Sequence, residues 1–115
     1  MVTEALARYS ESADLLVMDV MNYDLIGLME NAFRGIGNDE LATIMYDIRE
    51  YHTDVNNVAL MAQNQEVKRL AFTHYAPSGT VKSLMKRFYV NSIRKSYDGD
   101  LIVGGDGTTI TIPVN

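Results

Sequence analysis

No cysteine occurs among the 115 residues. That excludes disulfides, thiolate metal sites and a catalytic thiol together. Histidine is nearly as scarce. His52 and His74 are the two present, so the imidazole-rich zinc signatures HxH and HExxH are missing, and a catalytic zinc needs about three protein ligands. No apolar run approaches the ~20 residues that cross a bilayer. The opening MVTEALARYSESADLL lacks the basic start and apolar stretch of a secretory signal, so a cytoplasmic protein without membrane contact is expected. Positive charge is also short. Ten Lys and Arg stand against 15 acids, a net charge of −5, which is the wrong sign for a nucleic-acid-binding domain. The GGDG stretch near the end has neither the lysine of a P-loop nor the spacing of a dinucleotide fingerprint, and reads as a turn. Repeats, linkers and low-complexity segments are absent too.

What is present suits one small packed domain over 1–115, with 47% apolar residues. Thr3 can cap a short helix over 3–11 carrying Val2, Ala5, Leu6 and Tyr9. ADLLVMDV (13–20) reads as a strand buried on both faces. A helix over 24–33 presents Leu25, Leu28, Met29 and Ala32 on one face, with Gly35 placed to end it. Asn38 caps another, striped by Leu41, Ile44, Met45 and Ile48. Thr53 precedes a third, striped by Val55, Val58, Ala59 and Ala62. VKRLAFTHY (67–75) is a strand, and a long helix follows over 79–96 with Val81, Leu84, Met85 and Phe88 in register. The end, GDLIVGGDGTTITIPVN, reads as a β-hairpin turning at Asp106-Gly107. Helices alternating with strands give an α/β fold with a small, mainly parallel sheet, flanking helices and an antiparallel strand at one edge. The seven methionines are adaptable core filler.

Chemistry has few places to reside. His74 falls at the carboxyl end of a parallel strand, where ligands of α/β sheets collect; it can bind metal there or be structural. His52 directly precedes a helix cap, where the helix dipole favours a neutral ring. That ring can help hold an anion or simply bond nearby backbone. Asp19 ends a strand similar to the phosphoacceptor strand of response-regulator receiver domains, although the acidic pair that a receiver places some forty residues earlier is absent. Lys82, Lys86, Arg87, Arg94 and Lys95 lie between Pro77 and Tyr97 with no acid among them. They form either a solvated helix face or a guide for anionic partners.

Three stretches taken in order, TEALARYSESADLLVMDV, HTDVNNVALMAQNQEVKRLAFTHYAP and YDGDLIVGGDGTTITIP, resemble the C-terminal half of the metallo-β-lactamase-fold hydrolases, in their arylsulfatase-like and tRNase Z-like branches. The middle stretch is the specific one. The resemblance implies half of an αββα sandwich with a metal site, normally zinc, at one edge between the sheets. It assigns His74 to the last metal-binding histidine. His52 takes the place of the histidine of an HxT motif, here His-Thr-Asp, that assists at the scissile phosphate in tRNase Z-like members. Asp14 corresponds to a structural aspartate, and Asp19 stands where many members carry Glu. The family's HxHxDH motif is absent from this chain, so a fragment of a metal-dependent hydrolase, inactive alone and holding no zinc stably, is expected. An uncovered sheet face should then pair either with a missing N-terminal half or with another copy in a homodimer. The alternatives are a non-catalytic self-associating domain and a receiver-like domain acting through Asp19.

Overall fold

A computed structural model describes residues 2–76, 87, 90–104 and 107–113, with the side chains of 74–76 outside the description. In chain order the elements are α1 (Glu4–Tyr9), β1 (Leu16–Met21), α2 (Tyr23–Gly35), α3 (Asp39–Asp47), a single 3-10 turn (Ile48–Glu50), α4 (Val55–Asn64), β2 (Arg69–Ala76) and β3 (Asp100–Val103). Of the helix predicted over 79–96, Arg87 and residues 90–94 are helical; its apolar stripe, Lys82 and Lys86 lie outside the described residues.

The strands form one sheet in the order β1-β2-β3, and both pairings are parallel. Parallel neighbours need crossover connections, and the helices supply them. The α/β expectation with a small parallel sheet therefore holds. The C-terminal β-hairpin does not form among the described residues. Residues 108–113 carry no strand, although Thr109, Ile110 and Thr111 flank a groove beside Arg69, Arg94, Asp100, Leu101 and Ile102. β-branched residues favour a strand only where a partner ladder and packing reward it.

Local chemistry fixes the helix starts. Thr3 accepts from the Leu6 N–H at 3.1 Å, Asn22 from Leu25 at 3.1 Å and Asn38 from Leu41 at 3.2 Å. The N-cap of α4 is Asp54, one residue beyond the Thr53 expected. The stripe of α4 is placed as its spacing dictates. Val55, Val58, Ala59 and Ala62 are fully buried and pack in one core with Val20, Leu70, Phe72, Ile93 and Tyr97. Leu16, Met18, Leu101 and Val103 border that core, so it lies on a single face of the sheet. The Tyr97 hydroxyl closes it by donating to the Val67 carbonyl at 2.8 Å. Burial, with the charge of Asp100 adding, pushes the Tyr97 phenol above its ordinary range.

On the opposite face, register aligns Val17, Ala71 and Ile102 in one apolar row. Arg69 and Asp100 border it on one side, Asp19 and Thr73 on the other. β1 is thus buried on one face rather than both: Val17 and Asp19 are exposed. Within this row Val17 is exposed, Ile102 half-buried and Ala71 buried, so it offers far less apolar surface than the broad patch expected.

Ser12 and Glu66 hold φ of 55° and 56°, the left-handed region that costs a residue with a Cβ about 1–2 kcal/mol. Their segments are tied together, with Ser12 N–H donating to Gln65 O at 2.8 Å and Lys68 N–H to Ala13 O at 2.9 Å. Glu66→Gly should therefore raise stability by about 0.5–1 kcal/mol, read as a higher urea midpoint.

Candidate functional site

β1 ends in Val20-Met21, both buried. Beyond them the chain enters α2, while the segment before α4 returns alongside. Met21 N–H donates to Thr53 O at 2.8 Å, and Met21 bridges Asp54 in parallel. This short ladder carries His52 to the carboxyl edge of the sheet. There its Nδ1 lies 3.3 Å from Oδ2 of Asp19, a contact between residues 33 apart in the chain.

The register of β1 against β2 breaks at this point. Met18 pairs with Phe72 and Val20 with Tyr75, so Asp19 alone stands against both Thr73 and His74. Bulges of this kind concentrate at sites because they re-aim side chains. The backbone of His74 therefore runs beside Asp19, two residues before the end of β2; its side chain lies outside the described residues. Asp14, the fourth residue singled out by the resemblance, is remote from this edge. It takes the Lys68 ammonium at 3.0 Å near the opposite end of the strands.

Two further residues brace the edge. The Tyr23 hydroxyl lies 2.6 Å from the carbonyl oxygens of both Arg49 and His52, and the Tyr23 N–H donates to Asp54 Oδ1 at 3.2 Å. Burial raises the Tyr23 phenol, and the Asp54 charge adds to this. Burial likewise raises the Asp54 carboxyl, against the lowering effect of the bond from Tyr23. Arg49 is held by Glu30 at 2.9 Å. Nothing in the spacing of Tyr23, Arg49 or Asp54 marks them, because their roles arise from contacts across the α2–α3 excursion.

The Asp54 shift has a testable sign. A carboxyl whose folded pKa is raised disfavours the fold while ionised, so its contribution improves as pH falls through the raised range towards the ordinary carboxylate value. The stability of the wild type relative to Asp54→Asn should therefore rise on acidification from pH 7, as measured by urea denaturation at several pH values.

Among the described residues no group of three or more His, Asp or Glu is arranged to hold a metal ion. Asp19 and His52 give one oxygen and one nitrogen donor, both of kinds that zinc accepts. Among the described residues these two donors fall short of the roughly three protein ligands that a catalytic zinc needs. No described helix is long and apolar enough to cross a membrane. No protein-family model matches the chain, and no curated protein is similar to it.

Proposed function

We propose that this chain is one layer of a metal-dependent hydrolase of the metallo-β-lactamase type, cleaving an ester, lactam or phosphodiester, and inactive until a second layer adds the remaining ligands. The observation that carries the reading is the Asp19–His52 contact at 3.3 Å, at the carboxyl edge of a parallel sheet and beside the strand position of His74. Three residues from separate parts of the sequence converge where ligands of α/β folds collect. In the sequence resemblance His74 is the last metal-binding histidine and His52 the histidine that assists at the scissile phosphate, while Asp19 stands where many members carry Glu.

In this reading His74 is a metal ligand. His52, oriented through Nδ1 by Asp19, holds or delivers a proton at the leaving group through its other ring nitrogen. The short ladder from Met21 to Thr53 fixes the depth of that ring. A bound zinc supplies Lewis acidity and a water acidified towards pKa ~7. The apolar row Val17–Ala71–Ile102 provides the surface on which the companion layer sits.

The test is reconstitution. Purified alone, the chain should lose zinc on gel filtration and leave nitrophenyl esters and bis(nitrophenyl) phosphate intact. Joined to a layer bearing HxHxDH, it should retain zinc and hydrolyse one of these, and His74→Ala should remove both properties. Stoichiometric zinc and turnover by the isolated chain, or a joined protein that stays metal-free, would sink the proposal.

A further inference from the structure

The basic run between Pro77 and Tyr97 has no part in the hydrolase reading, yet one of its members is built into the fold. Arg94 ends the helical stretch 90–94. Its Nη1 donates to Gly99 O at 2.6 Å and to Tyr97 O at 3.3 Å, which spends both hydrogens of that nitrogen and fixes the guanidinium. Its Nε and Nη2 edge makes no hydrogen bond or ion pair among the described residues. Arg69, the first residue of β2, is anchored in the same manner, with Nη1 donating to Asp14 O at 3.3 Å. Its Nε lies 3.9 Å from Asp100 Oδ2, past hydrogen-bond reach. The Asp100 side chain is 78% exposed, so that ion pair is loose and screened.

Both guanidiniums line one groove of about 470 Å3, within the range of small-ligand sites. Two cations on one small groove repel each other, and an anion between them relieves that repulsion. Thr109 and Thr111 bring hydroxyls to the same groove, and Ile102 and Ile110 give it an apolar lining. We infer that it binds a phosphate monoester, the phosphoryl group between Arg69 and Arg94 and the carbon body against Ile102 and Ile110.

Charge and shape select this class of ligand. A phosphate monoester carries about −1.5 to −2 at pH 7 and three strong acceptor oxygens, which matches two guanidinium forks and a hydroxyl. A carboxylate, with a single charge and two oxygens, leaves one fork idle. Inorganic phosphate leaves the apolar lining wet. Asp100 opposes any anion here, and so holds the affinity down.

The groove is separate from the Asp19–His52 edge. Arg69 and Asp100 open their strands and pair in register, whereas His74 lies about 16 Å further along β2 at ~3.3 Å per residue. The groove shares Ile102 with the outer apolar row and no residue with the histidine site. It stands without the hydrolase reading.

Titration of the isotope-labelled chain with phenyl phosphate, followed by amide NMR, tests it. Signals of Ile102, Ile110 and the Arg69 and Arg94 side chains should move together and saturate with a dissociation constant on the order of 1 mM. Phenol and inorganic phosphate should each bind about tenfold more weakly, or worse. Arg69→Gln should weaken phenyl phosphate by about tenfold. Asp100→Asn should tighten it about two- to fivefold, a gain that damage to the fold cannot imitate. Arg94 also holds the turn at Gly99, so Arg69→Gln and Asp100→Asn carry the test, with the remaining amide signals unchanged in both. No movement at these residues up to ~10 mM phenyl phosphate overturns the inference. So does equal affinity for phenol or inorganic phosphate, or an affinity indifferent to both substitutions.

Discussion

Gly99→Ala is expected to destabilise the fold by about 3 kcal/mol, combining overpacking with the loss of a buried hydrogen bond. A Cβ built at Gly99 runs into the hydroxyl and ring carbons of Tyr97. Tyr97 cannot yield cheaply. It is buried among Val67, Ile93 and the rest of the core, and its hydroxyl donates to Val67 O at 2.8 Å. Displacing the ring strands that carbonyl and opens a gap against α4. For a chain of this size, the loss corresponds to a fall in melting temperature of about 10–15 °C. Tyr97→Phe alone should cost less, about 1–2 kcal/mol. Because the hydroxyl is among the atoms struck, Tyr97→Phe should also recover part of the Gly99→Ala loss. Urea midpoints for both single variants and the double variant decide the matter, since additive costs would mean that the two residues do not meet.

In the reconstituted hydrolase, His52→Ala should lower turnover by about 10²–10⁴-fold, the usual worth of a positioned proton donor or acceptor. Asp19→Asn should cost a substantial share of that, with zinc content unchanged. The double variant should be hardly worse than His52→Ala, because an orienting carboxylate has nothing to act on once the ring is gone. Independent, multiplicative losses would separate Asp19 from His52 and leave their 3.3 Å contact without a catalytic meaning. A loss of zinc in His52→Ala would make His52 a ligand instead.

What the sequence yielded follows the range of the forces involved. The stripe of α4 was legible because its period is local and its partner, the sheet, is the main apolar surface available. The caps at Thr3 and Asn38 were legible because a cap joins residues three apart. The stripe of α2 was equally clear as a pattern, yet it is half-buried at Leu25 and Met29 and exposed at Leu28 and Ala32, since periodicity states which residues share a face and not what that face meets. The TTITI run had the right composition for a strand, and composition cannot supply the ladder. The Asp19–His52 contact spans 33 positions and no spacing rule reaches it; the family resemblance singled out His52 and His74 for one edge without bringing Asp19 to them, and the bulge at Thr73 and His74 opposite Asp19 appears only in the register. Tyr23 escaped altogether.

That tyrosine has a mechanical consequence. One phenolic oxygen touches the carbonyls on both sides of Tyr51, at Arg49 and at His52, and it belongs to the first residue of α2. The excursion that carries the open leucines is thereby riveted to the peptide that holds the imidazole. Tyr23→Phe takes out this one rivet, while the Tyr23 N–H bond to Asp54 and the Glu30–Arg49 pair still pin that arm at its base.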